Sequence, residues 1–137
     1  MKKMICIFLS LALIISLTPA VFAAESSNAD PILIATADEL IAVAQEINKS
    51  GNGGKGRLYR RTENIDLKGE VWFDSIGSKD IPFSGTFDGN GKIISNFKIP
   101  TYASQSYVGT GLFGTIGGNA VIKNLGLERI TVFGKDS

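Results

Sequence analysis

The chain has no histidine among its 137 residues. A Ser-His-Asp or Cys-His nucleophile is therefore excluded, as are a HExxH zinc site and any other site with imidazole ligands. Catalysis would have to rest on carboxylates, Lys, Arg or Tyr. Cysteine is nearly as scarce: Cys6 is the only one, and it stands at the start of an apolar run, not at its end where a lipoprotein anchor would need it. Residues after that run can form no disulfide and do no thiol chemistry. A strong charge of either sign is also missing. Fourteen basic residues face 13 acidic ones, for a net charge of +1, and nothing in that balance calls for nucleic acid as a partner.

The N-terminus carries an address. Lys2 and Lys3 precede an almost unbroken apolar run from Met4 to Leu17, Pro19 ends it, and Val21-Phe22-Ala23 places small residues where a signal peptidase reads. We read residues 1–23 as a signal peptide cleaved after Ala23, because the run is short for a bilayer span of about 20 residues. Loss of two lysines then turns the net charge from +1 to −1. The mature chain has no further run long enough to span a membrane, and the expected location is secreted or cell-surface.

Residues 24–31 read as a linker. Thr36 with Glu39 three residues on forms a capping box, and Leu40, Val43, Ala44 and Ile47 recur at helical spacing. This predicts one amphipathic helix over 37–49, within a capping segment of 32–56 that ends in the Gly-rich run Gly51–Gly56, read as a flexible loop. After it come only short apolar runs with β-branched and aromatic residues, broken by Gly, Asn and Asp-Gly turns. The fold class is mostly β, and one helix placed before all the strands argues against alternating βαβ units.

Within 57–134 the chain repeats itself. Gly85-Thr86-Phe87 matches Gly114-Thr115-Ile116, and Gly89-Asn90 matches Gly118-Asn119, at an offset of 29. Ile94-Ser95-Asn96-Phe97-Lys98-Ile99 then matches Ile122-Lys123-Asn124-Leu125-Gly126-Leu127 at an offset of 28, and a weaker third copy surrounds Asn64. Periods of roughly 20 to 50 residues mark stacked units that cannot bury their faces alone. Phe97 and Ile99 share a strand face, yet Ile94 lies three residues before Phe97. For all three to reach one core the chain must bend at Ser95-Asn96, and likewise at Lys123-Asn124; asparagine tolerates the left-handed conformation such a corner needs.

These residues resemble the GLUG-motif repeats of bacterial exported and surface proteins, with Gly111-Leu112-Phe113-Gly114 as the eponymous tetrapeptide. The repeats are 83–99 and 111–127. The resemblance implies a right-handed parallel β-helix, here of about three rungs, with the 37–49 helix as its N-terminal cap. It implies no catalytic residues, and it places such modules beside adhesin-like regions, cell-wall attachment modules and immunoglobulin A peptidases. Nothing plays a capping role after Ile130-Thr131-Val132-Phe133, so residues 135–137 read as the tail of a fragment, and the open end is expected to meet more of a longer chain or another copy.

Sharper sites are weighed against plainer ones. The GxGxxG match ending at Gly114 opens no helix, and Gly51–Gly56 lacks phosphate-loop spacing. Asp88-Gly89-Asn90-Gly91 could offer oxygens to calcium, but a tight turn explains it. Asp66, Glu70, Asp74, Asp80 and Asp88 could include a glycosidase pair, but read as solvated charge. Lys55, Arg57, Arg60 and Arg61 read as a solvated edge. Trp72, Tyr102 and Tyr107 are the candidate ligand contacts, with one of Trp72 and Phe73 facing inward. Gly85, Gly89, Gly111, Gly114, Gly118 and Leu112, with Asn64, Asn90, Asn96, Asn119 and Asn124, are read as structural. No cofactor and no metal are expected. The chain is expected to be a non-catalytic structural or adhesive module meeting an extracellular glycan or protein, with the leading part of a larger exported enzyme as the alternative.

Overall fold

The computed structural model of the chain describes residues 30–101 and 110–134. Residues 1–23, read above as a signal peptide, nearly all of the expected linker, residues 135–137, and Tyr102 and Tyr107 lie outside the described residues. The fold is mostly strand, with parallel sheets and one helix. Its elements are β1 (Ile32–Ile34), α1 (Ala37–Lys49), β2 (Leu58–Arg61), β3 (Ile65–Asp66), β4 (Thr86–Asp88), β5 (Ile93–Thr101), β6 (Val121–Lys123) and β7 (Gly126–Gly134).

The helix forms where the capping box predicts. Thr36 Oγ1 accepts from the Glu39 N–H at 3.2 Å, and Glu39 accepts from the N–H groups of Thr36 and Ala35 at 3.1 and 2.7 Å. Its buried residues are Leu40, Val43, Ala44 and Ile47, the stripe seen in the sequence. The strands fall into two sheets, β1-β2-β4-β6 and β3-β5-β7, and every pairing is parallel. β1 is followed by α1; from β2 on, each pass of the chain adds one strand to the first sheet, turns a corner and adds one to the second. Isolated parallel bridges, Ile76 with Phe113 and Phe83 with Ile116, form a third row.

Side chains stack in columns across the passes. Tyr59, Phe87 and Ile122 are register partners, as are Ile65, Ile94 and Leu127. Phe83 and Phe113 pack at 5.4 Å between ring centroids, and Phe87 meets Phe113 edge-on at 5.3 Å. The expected bends are present: Asn96 and Asn124 have φ of 56° and 54°, so Ile94 and Phe97 both reach the core.

Two expectations change. The matched halves of the sequence repeat do not stack on one another: Thr86 pairs with Val121 and Ile94 with Leu127, offsets of 35 and 33. The repeated unit is a strand, a turn, a strand and an Asn corner. This local device starts in the first sheet in one copy and in the third row in the other. Nor is Gly51–Gly56 loose. Gly53 and Gly54 are buried, the Ser84 N–H donates to the Gly53 carbonyl at 2.8 Å, and a Cβ on Gly53 would lie 1.9 Å from the Pro82 oxygen. All four glycines of the run have positive φ, and at Gly53 backbone also packs on backbone, whereas Gly51 and Gly56 face open space.

Candidate functional site

The asparagines explain themselves once neighbouring passes are considered together. Asp66 accepts at Oδ1 from the Lys68 N–H at 2.8 Å and from the Asn96 side-chain amide of the next pass at 2.9 Å. Asp88 repeats the device, accepting from the Asn90 N–H at 2.9 Å and the Asn124 amide at 3.1 Å. Each aspartate closes its own corner and holds the corner stacked on it. Asn64 accepts from the Ile93 N–H and Asn90 donates to the Arg61 carbonyl, so both also bridge passes. Asn119 sits exposed in the turn before β6.

Both aspartates hold their protons less tightly than usual. For Asp66 the Asn96 amide is the largest cause, followed by the Lys68 N–H. For Asp88 burial pushes the value up, but donation from Asn124, Asn90 and Arg60 and the charge of Lys123 outweigh it. A glycosidase general acid needs the opposite shift. The calcium reading of Asp88 also fails on geometry: Oδ1 is taken by Asn90 and Asn124, while Oδ2 meets Arg60 at 3.2 Å and Lys123 at 4.0 Å. Arg60, Asp88 and Lys123 are register partners, a +/−/+ stack along the outer face of the first sheet.

Arg61 corrects the solvated-edge reading. It is wholly buried, its Nη2 donates to the carbonyls of Glu63 and Ile93 at 2.6 and 3.2 Å, and its Nε and Nη1 have no partner. Burial lowers its pKa to about 10. The alternation along β2 places Arg60 outward and Arg61 inward, which net composition alone does not reveal.

Of the candidate ligand contacts, Trp72 is 5 % exposed and Phe73 is 67 % exposed. Trp72 is thus the inward member of the pair, with only a small part of it reaching the groove beside α1, and the more exposed ring is Phe73. Among the glycines, Gly85 and Gly89 are fixed by close approach: a Cβ would lie 2.5 Å from the Gly54 oxygen and 2.4 Å from the Asn124 oxygen respectively. Gly118, the sequence match of Gly89, faces open space. Gly111 is less constrained, with a Cβ lying 3.0 Å from the Phe113 oxygen, Gly114 donates to Ile76, and Leu112 is core.

Two grooves flank the corner after β3. One, about 460 Å³, lies between the start of α1 and that corner and includes Asp38, Asp66, Glu70 and Lys68. The other, about 500 Å³, is lined by Lys68, Asn96, Lys98, Arg129, Ile130 and Thr131 among others. The first collects acids and the second collects cations. Among the described residues no group of three or more His, Cys, Asp or Glu side chains could hold a metal ion, and no helix is long and apolar enough to cross a membrane.

The chain is similar to Halomucin of Haloquadratum walsbyi, 31 % identical over 121 residues, which is 85 % of this chain and 1 % of that protein. It is also similar to a Gly-rich membrane protein of Evansella cellulosilytica, 34 % identical over 117 residues, 80 % of this chain and 12 % of that one. The chain thus spans a small fraction of the curated relatives it matches. No family model matches it, and no solved structure does.

Proposed function

We propose that this chain is a non-catalytic parallel β-helix of right-handed, GLUG-like coils, a structural or adhesive module of a secreted or cell-surface protein. The observation carrying this reading is the column order. The passes stack in parallel with apolar columns inside, and the conspicuous aspartates are occupied in holding corners together. An outer face of ordered columns suits repetitive contact with an extracellular glycan or protein. The names of the relatives support an address at the cell surface or beyond it, and their lengths suit a module set in a long polypeptide. The outer edge of β7 is suited to receive a further coil, from a longer chain or a second copy.

The register tests the coil directly, because the chain has no cysteine after Cys6. Thr86→Cys with Val121→Cys is expected to form a disulfide on mild oxidation, since directly paired residues meet its Cα span of about 4.4–6.8 Å. Thr86→Cys with Thr115→Cys, the pair the sequence repeat would stack, is expected not to. The opposite pattern refutes the coil. Turnover of any glycan or peptide by the purified chain refutes the non-catalytic part.

A further inference from the structure

The corner of the second sheet, after β3 and within β5 and β7, carries a contradiction. Lys68, Asn96 and Arg129 occupy it on successive passes, and all three are left-handed, with φ of 52°, 56° and 51°. Asparagine suits that conformation; lysine and arginine do not, because their Cβ crowds the following carbonyl. The fold already uses asparagine for it at positions 90, 96 and 124. Lys68 and Arg129 are exposed, and among the described residues neither they nor Lys98, which lines the same groove, form an ion pair or a side-chain hydrogen bond. Three cations stand around one open groove, two of them at a cost to the backbone, and among the described residues no ion pair or side-chain hydrogen bond accounts for them.

We propose that this groove binds an anionic polysaccharide through its acid groups, which deepens the adhesive reading and rests on it. The neighbouring acids do not cancel the site. Asp66 feels the charges of Lys68 and Arg129, but its Oδ1 is engaged by Asn96 and the Lys68 N–H, and Asp66, Glu70 and Glu128 stand outside the lining. Adjacent strands are separated by about 4.8 Å, so Lys68 and Arg129, two passes apart, are roughly 10 Å from one another. Lys98 flanks them on β5 opposite Thr131. A polymer lying along the stacking direction would present acid groups to each in turn. The Asn96 amide and Thr131 hydroxyl are suited to sugar hydroxyls, and the half-exposed Ile130 to a ring face. Arginine and lysine favour carboxylate, phosphate or sulfate alike. A chain with nearly balanced charge is poorly suited to nucleic acid, whose binding rests on a larger cationic surface.

The test is affinity electrophoresis of the full secreted chain in native gels containing polygalacturonate, a sulfated glycan, dextran or polyglutamate. Wild type is expected to be retarded by one of the acidic glycans, less so as salt rises, and not by dextran. The variant Lys68→Asn/Lys98→Gln/Arg129→Asn is expected to bind at least about tenfold more weakly. Its urea midpoint should nevertheless rise, because asparagine relieves both corners, so lost binding cannot be blamed on lost folding. Lys55→Gln, in the turn before β2, should bind as wild type does. Retention of binding by the triple variant overturns the site and leaves the adhesive reading standing. No retardation by either acidic glycan overturns the site as well; the adhesive reading then falls only if extracellular proteins and neutral glycans also fail to bind. Equal retardation by polyglutamate overturns the polysaccharide assignment, and the two glycan arms separate carboxylate from sulfate.

Discussion

Asn48 closes the third row of the first pass, and its removal is the most informative single change. The outward side of the Ile76 segment is paired by backbone: Ile76 donates to Leu112 at 2.8 Å and accepts from Gly114 at 3.0 Å. The opposite side, where a preceding pass would lie, faces α1 instead. There the Asn48 carboxamide takes the place of a peptide group, donating from Nδ2 to the Ser75 carbonyl at 2.9 Å and accepting at Oδ1 from the Gly77 N–H at 2.9 Å. Asn48→Ala removes both bonds. Each is worth about 1 kcal/mol net, and the buried Gly77 N–H adds about 1–3 kcal/mol if left unpaired. The expected loss is about 2–5 kcal/mol, a fall of roughly 1–3 M in the urea midpoint for a domain of this size. Asn48→Asp should cost as much, because an oxygen would then face the Ser75 carbonyl. Gln45→Ala is the control: its bond to Asp74 is long, 3.3 Å, and exposed, and its loss should cost below about 0.5 kcal/mol. The sole tryptophan, Trp72, is buried and reports unfolding by its emission. An Asn48→Ala protein within about 0.5 kcal/mol of wild type would refute the claim that the helix caps by mimicking a strand.

Four further outcomes follow from the same geometry. Asn96→Ala should cost about 2–3 kcal/mol in urea unfolding, since it strains a left-handed corner and removes the bond to Asp66, whereas Asn96→Gly should recover about half of that. Gly53→Ala must displace the Pro82 backbone and should lower the midpoint far more than Gly51→Ala, which has a similar φ but open space around it. The folded-state pKa values of Asp66 and Asp88 are depressed, so their contribution is full above the ordinary carboxylate value of about 4 and is lost as pH falls through the folded values. Thermal melts between pH 7 and pH 2 should show that acid limb, and Asp88→Asn should flatten it. Arg61→Met should leave stability equal to or above that of wild type, because a buried cation with two unpartnered nitrogens gives way to apolar volume; a clear loss by urea titration would assign net value to its two carbonyl contacts.

The helix and the bends were legible in the sequence, and the stacking was not. Thr36, Glu39 and the Leu40–Ile47 stripe determine α1 locally, and the three-residue gap between Ile94 and Phe97 demands a left-handed corner wherever that strand lies. Register is not local. Positions alike in sequence, such as Thr86 and Thr115, stand on different faces because the chain between Ile99 and Leu112 lengthens one pass relative to the other. The same limit hid the grooves. Lys68, Lys98 and Arg129 are scattered over 61 residues and meet only because successive passes superpose them. A hint was present in Asp66-Leu67-Lys68-Gly69 and Asp88-Gly89-Asn90-Gly91, which share an Asp and a Gly at the same spacing. They form one corner type, with lysine in the first where asparagine stands in the second.

The columns also show that burial here belongs to the neighbour as much as to the residue. Ile65, Ile94 and Leu127 stack in register with exposures of 3 %, 0 % and 41 %, and Phe97 and Ile130 with 1 % and 37 %. Apolar character hardly changes along either column, and the exposure jumps where no further pass lies over β7 among the described residues. The first pass is handled differently: α1 lays Leu40, Val43, Ala44 and Ile47 over it, and Asn48 satisfies its free backbone. A helix can finish such a stack because a short polar side chain can imitate one peptide group. It cannot continue one, because it offers no edge in return. β7 does offer an edge, nine residues long, over side chains of the type buried one pass earlier. The two ends therefore differ: beside α1 the edge left among the described residues is the three-residue β1, whereas at the other end it is the nine-residue β7. Any strand that pairs in parallel with β7 gains the burial that Ile94 and Phe97 already have.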